Sequence, residues 1–266
     1  IIEDVSDLVV LKMMLVKDNW FLNLILLICL AVAGYAGYQI YLEYREYHTG
    51  TAEYDKLEKV VDDKGLDNPE DSSLTKNDLE NIYQTMKAQN QDYVGWLYVN
   101  DTISYPVVQR DNDYYLRRTF NGTYNRAGTL FLDENVKNGW DDLNVLVYGH
   151  NLMNKKMFGT LDEYSDEVYC KEHPVFYVYL ENEYRIYRVF SAYKTYPDTD
   201  TYQVGFESTK DLANYVKAMI EKSYYQVENT DLALESENIV TLSTCTNKND
   251  GRFVVHGYLE KKVCKK

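Results

Sequence analysis

Proline occurs only four times in 266 residues and glycine 13 times, which excludes collagen-like and low-complexity architecture, and no segment of 20 to 50 residues repeats. Cysteine is as scarce. Cys29, Cys170, Cys245 and Cys264 lie far apart with no CxxC or comparable spacing, so neither a disulfide framework nor a structural zinc site is expected. Cys29 sits in an apolar run, which leaves at most one intrachain pair, Cys170 with Cys264, and then makes Cys245 a free thiol. Positive charge is short as well: 28 Lys and Arg against 42 Asp and Glu give a net charge of -14, the wrong sign for a chain that tracks nucleic-acid phosphates. No HExxH, P-loop, dinucleotide fingerprint or glycosidase signature is present. Asp111, Asn112 and Asp113 lack the glycine and terminal glutamate of an EF-hand, so calcium is not expected there. No other metal and no organic cofactor is expected.

What is present is an ordinary globular composition, 45% hydrophobic and 26% charged, enough for one good-sized core with an appendage. Tyrosine occurs 27 times and often alternates with aliphatic residues, as in Tyr177, Val178, Tyr179, Leu180, a pattern suited to half-buried strands.

Trp20 to Leu42 carries no charged residue and is about as long as a helix needs to be to cross a bilayer. Lys12 and Lys17 precede it, and this excess favours a cytoplasmic amino terminus with the bulk of the chain outside. Ala31, Val32 and Ala33 offer a signal-peptidase pattern, but the apolar character runs on from Tyr35 to Leu42, as in an uncleaved anchor. The chain opens on Ile1 and not Met, which makes the charge count upstream provisional.

Glu43 to Asn68 is polar, with apolar spacing too thin for a domain and a break at Asp62, Asp63, Lys64, Gly65, and reads as a stalk. Leu79, Ile82, Tyr83 and Met86 then recur at helical spacing behind the cap candidates Ser73 and Thr75. Eight β-rich runs follow: Val94–Val99, Ile103–Gln109, Gly128–Leu132, Val145–Tyr148, Val175–Leu180, Tyr184–Tyr193, Ile239–Ser243 and Phe253–Leu259. They indicate a closed barrel or a sandwich. Leu212, Tyr215, Val216, Met219, Ile220 and Tyr224 mark a second amphipathic helix behind Ser208 and Thr209.

The strongest chemical signal is Thr241, Leu242, Ser243, Thr244, Cys245, a strand ending in a thiol, with Arg252 at the mouth of the next strand. A thiol there is rigidly held yet accessible, as a nucleophile must be. An unperturbed thiol is only a few per cent ionised near neutrality, and a guanidinium nearby raises that fraction or stabilises an oxyanion. Of the four histidines, His48 and His173 read as surface residues and His256, inside the last strand, as structural. His150 emerges where Val145, Leu146, Val147, Tyr148 opens through Gly149 into a loop, a usual place for a proton carrier. The histidine precedes the cysteine, opposite to the order in papain-like proteases.

Thr241 to Cys245 with Arg252 resembles the TLxTC and downstream arginine of sortases, the membrane-anchored cysteine transpeptidases of Gram-positive bacterial surfaces. Tyr105 to Gln109 with Asp111, Asn112, Tyr114, Tyr115 and Leu116 is similar to a segment of class B sortases. So are Ala127 to Asp133, and Tyr148 to Asn151 with Met157, Phe158 and Gly159. The resemblance implies an eight-stranded sortase-type β barrel with an N-terminal helix and an extra helix before the cysteine strand, preceded by one transmembrane helix. It implies Cys245 as nucleophile, His150 as general acid and base, Arg252 as substrate and oxyanion ligand, and Ser243 and Thr244 as substrate-binding flanks. Expected partners are surface proteins bearing LPxTG or NPxTN-like signals and an amine of the peptidoglycan cross-bridge or a pilin lysine.

The expected division is 1–19 cytoplasmic, 20–42 transmembrane, 43–72 extracellular stalk and 73–266 sortase catalytic domain. Two features depart from the family: Asn247 stands where some class B members have an acidic residue, and the connection from Cys245 to Arg252 is short. The rival readings are a tethered cysteine endopeptidase and a non-catalytic, tyrosine-rich surface binding module.

Overall fold

The computed structural model describes residues 3–62, 74–99, 102–197, 199–228, 230–245 and 251–264, with backbone alone for 3–19, 43, 46–49, 51 and 245. Of the expected break from Asp62 to Gly65, Asp62 ends a helix and the other three residues lie outside the described ones, as do the cap candidate Ser73, Asn247 and the side chain of His48. The chain forms two compact units, Ile1–Thr49 and Gly50–Lys266.

The first unit is helical and belongs to α1 (Glu3–Asp62). Its 23 residues from Trp20 to Leu42 are long and apolar enough to cross a membrane and lie unburied. At about 1.5 Å per residue they span the roughly 30 Å of a hydrocarbon core.

The second unit begins with the last turns of α1, and here the structure differs from the expected stalk. Tyr54, Leu57 and Val61 recur at helical spacing and are all buried in the barrel core. The Tyr54 hydroxyl donates to the Gly128 carbonyl at 2.5 Å. Three apolar positions among charged neighbours gave too weak a period to read, but they suffice to bury one helix stripe. α2 (Lys76–Gln89) starts at a capping box, in which Thr75 Oγ1 accepts from Asp78 N and Asp78 Oδ2 accepts from Thr75 N. Such a cap stabilises a helix by about 1 kcal/mol. Leu79, Ile82 and Met86 form its buried face.

Eight strands follow: β1 (Tyr93–Val99), β2 (Ile103–Gln109), β3 (Leu130–Leu132), β4 (Asn144–Gly149), β5 (Val175–Tyr179), β6 (Glu183–Thr195), β7 (Ile239–Cys245) and β8 (Arg252–Cys264). They close a barrel in the order β1-β2-β3-β4-β7-β8-β6-β5. β3 is shorter than expected because Gly128 N and Thr129 N are taken by the turn, donating to the carbonyls of Asn125 and Tyr115. Among the described residues, β2–β3 and β4–β7 are the pairs that run parallel. A parallel pair needs a long crossover, and that of β4 to β7 carries α3 (Glu167–Glu172), α4 (Thr209–Lys222) and α5 (Thr230–Glu235).

α4 is the expected extra helix. Its N-cap Ser208 accepts from Asp211 N at 3.2 Å. Leu212, Tyr215, Val216 and Met219 pack with Phe190, Tyr193, Ile239, Val254 and Tyr258 in a second core outside the barrel. Full burial of such side chains contributes roughly 1.5–3 kcal/mol each. β7 is thus covered on both faces, Val240 and Leu242 packing in the barrel core and Ile239 in the second one. Cys170, buried in α3, and Cys264, exposed at the end of β8, are both free thiols, so the pairing entertained from sequence is not formed.

His256 is structural, as expected. Thr241 Oγ1 donates to Asn144 Oδ1 at 2.9 Å, so it accepts from His256 Nδ1–H at 2.9 Å, while Nε2 faces the Tyr193 hydroxyl at 3.2 Å. Burial, reinforced by the charge of Lys222, pushes its pKa down to about 3.

Two outcomes follow from these contacts. Leu57→Ala should destabilise the second unit by about 2–4 kcal/mol in urea unfolding, and an unchanged midpoint would remove these turns of α1 from the core. Between the ordinary imidazole pKa of about 6.5 and the folded value near 3, the unfolded chain binds the proton that folded His256 refuses. Stability should therefore fall as pH drops through that window, and less steeply in His256→Gln. Equal slopes in the two proteins would contradict the assignment.

Candidate active site

The parallel register pairs Tyr148 with Ser243 and Gly149 with Thr244, so the carboxyl ends of β4 and β7 lie side by side. The antiparallel β7–β8 register then sets Cys245 opposite Arg252. Strands in a sheet lie about 4.8 Å apart, so residues that end β4 and begin β8 flank the end of β7 at close range. His150, Ser243, Thr244 and Arg252 consequently line one cleft of about 250 Å³, together with Asn112, Leu116, Phe131 and Tyr148. Four of the five site residues expected from sequence share this cleft. The fifth, Cys245, follows Thr244 in the same strand and is described by its backbone.

His150 is held at both ends. Its carbonyl accepts from Phe158 N at 3.0 Å, and its Nε2 lies 2.6 Å from the Leu116 carbonyl. Gly149 permits this packing: a Cβ there would stand 2.4 Å from Leu130 Cδ2 and 2.6 Å from Phe158 Cδ2.

The cleft wall beyond the histidine is a tyrosine network. The Tyr148 hydroxyl donates to Asp133 Oδ2 at 3.1 Å, and Asn112 Nδ2 donates to the same oxygen at 3.0 Å. Burial first, and then the Asp133 carboxylate, hold the Tyr148 phenol above its usual pKa, so it stays protonated as a donor. Tyr202 stacks on Tyr148 with ring centres 6.3 Å apart, and its hydroxyl meets Ser243 Oγ at 3.0 Å. Thr244 Oγ1 is buried with no hydrogen-bond partner among the described residues. Arg252 is half-buried, with Nη1 donating to the Gly251 carbonyl at 3.2 Å.

Sequence reasoning passed over Asp133, Tyr148 and Tyr202 as site residues. Tyr148 carried a usable signal, since it ends the apolar run that opens through Gly149 into His150. Asp133 and Tyr202 carried none, because their roles depend on contacts made across the barrel rim. Among the described residues no group of three or more His, Cys, Asp or Glu is gathered as for a metal ion.

The sortase domain profile matches residues 99–260, which include the whole rim described above. Sortase B of Listeria monocytogenes is 32% identical over 208 residues, covering 75% of this chain and 83% of that protein. Among solved structures, a mutant form of Clostridium perfringens sortase B superposes with a TM-score of 0.70 at 28% identity, covering 79% of this chain and 98% of that one. The Staphylococcus aureus sortase B–substrate complex gives 0.70 at 25% identity, covering 82% and 99%. Barrel, extra helix, cleft and likeness agree: the chain belongs to the sortase family, class B, and is a cysteine transpeptidase.

Proposed function

We propose that the cleft binds an LPxTG or NPxTN-like sorting signal on a surface protein and that Cys245 cleaves it after threonine. The thiolate attacks the threonine carbonyl and the Arg252 guanidinium stabilises the resulting oxyanion. Imidazolium His150 gives its proton to the leaving amine as the C–N bond breaks, leaving a thioester on Cys245. A second amine, from a peptidoglycan cross-bridge or a pilin lysine, loses a proton to His150 and displaces the thiol to form the new amide. Ser243 and Thr244 line the bound peptide, and the Thr244 hydroxyl has no hydrogen-bond partner among the described residues. The observation that carries this reading is the sharing of one cleft by His150, Ser243, Thr244 and Arg252 beside the end of the strand that closes on Cys245.

The same reading extends to the rest of the chain. Residues 1–19 are cytoplasmic, 20–42 span the membrane once, and the catalytic body faces outside. The excess of Lys12 and Lys17 ahead of the uncharged helix Trp20–Leu42 supports that orientation. The stalk and body of the expected division meet nearer Gly50 than residue 73, since Tyr54, Leu57 and Val61 pack with the barrel.

Mass spectrometry of a sorting peptide incubated with the enzyme, with and without a glycine-based amine, tests the reaction. Cys245→Ala and His150→Ala should both abolish thioester turnover while leaving the fold intact, and normal transpeptidation by either would refute its role. Arg252→Lys should lose about a hundredfold or more in kcat/KM, because a point charge cannot reproduce a planar donor fork. A wild-type rate in that variant would make Arg252 structural.

A further inference from the structure

The contact between His150 Nε2 and the Leu116 carbonyl fixes more than the ring's position. A carbonyl oxygen only accepts hydrogen bonds, so at 2.6 Å the nitrogen facing it must carry the proton. That holds for the neutral ring as well as for the imidazolium. With Nε2 committed, Nδ1 is the one ring nitrogen left to gain and lose a proton at this ring position. We infer that His150 exchanges protons through Nδ1, and that the Leu116 carbonyl and Gly128 are positioning groups that select this tautomer.

The carbonyl is itself immobilised. The segment around it is tied down on both sides: Thr129 N donates to the Tyr115 carbonyl at 3.1 Å, Asn125 N to the Arg117 carbonyl at 3.0 Å, and Thr129 Oγ1 to the Arg118 carbonyl at 2.8 Å. Gly128, just before Thr129, closes the arrangement. Its φ is +62°, a region that side chains disfavour. A Cβ there would stand 2.8 Å from the Tyr115 carbonyl, 2.9 Å from that of Leu116 and 3.0 Å from His150 Cδ2. Only a residue without a side chain lets the turn, the carbonyl and the imidazole occupy this space together. The consequence in the reaction is specific. The imidazolium proton passes from Nδ1 to the leaving amine nitrogen as the C–N bond breaks, and the freed Nδ1 lone pair takes the proton of the incoming amine, while Nε2 keeps its own proton and donates it to the Leu116 carbonyl.

This inference rests on His150 as the acid and base, and the two are separable by experiment. The full chain, labelled with ¹⁵N-histidine and held in detergent micelles at alkaline pH, is read by long-range ¹H–¹⁵N correlation, with His150 assigned from its loss in H150Q. The expected result is the Nε2–H tautomer for His150, against the Nδ1–H tautomer that Thr241 and Asn144 impose on His256. An Nδ1–H signature, or an averaged pair of tautomers, at His150 would overturn the inference. Full activity in H150A would instead refute the catalytic reading, whatever the spectrum shows. In G128A the single tautomer should give way to a mixture and kcat should fall about ten- to a hundredfold with KM little changed, the cost of a small displacement of a reacting group. A folded G128A with unaltered tautomer and kcat would remove Gly128 from the positioning role, and if G128A does not fold, the wild-type spectrum decides.

Discussion

The parallel pairing of β4 with β7 is the constraint on which the site depends. Hydrogen bonds between parallel strands align their carboxyl ends, so residues that leave β4 and end β7 must meet at one rim although a long crossover separates them in the chain. Adding β8 in antiparallel register brings its first residue to the same rim from the other side. A cation, a thiol-bearing strand end and an imidazole are thereby gathered by backbone geometry, before any side-chain contact forms.

Side chains then tune what the backbone has gathered. The imidazole is gripped through a backbone carbonyl, and Asp133 draws Asn112 and Tyr148 toward one buried oxygen. Tyr202 transmits the crossover segment before α4 to Ser243 in the cysteine strand. The extra helix covers the outer faces of β6, β7 and β8, so β7 is buried on both faces and cannot shift register without exposing apolar surface. Rigidity at the base of the cleft comes from this strand, whose side chains from Ile239 to Thr244 are all buried.

Much of this was legible in the sequence, and the limits are physical. The second strand matched its expected bounds, Ile103 to Gln109, because alternation and flanking turn residues delimit it sharply. The amphipathic stripe of α4 and its Ser208 cap were visible for the same local reason. Tyr54, Leu57 and Val61 escaped because a single turn-spaced stripe between charged residues looks like a solvated helix until something packs on it. Cys245, His150 and Arg252 stood out by chemistry and position, and resemblance joined them, but no periodicity states that β4 and β7 run parallel. The contacts that align His150 are invisible in sequence for a stricter reason: one partner is a backbone oxygen, which leaves no mark on residue type, and the other is the absence of a side chain at Gly128.

The most direct test is a crystal structure of the chain with a sorting-peptide analogue bonded to the Cys245 sulfur. The account predicts the analogue lying in the cleft at the ends of β4 and β7, with the His150 ring and the Arg252 guanidinium within hydrogen-bonding reach of the captured group from opposite sides. An analogue bonded to that sulfur but seated outside the cleft, with either side chain turned away and held by other partners, would contradict it.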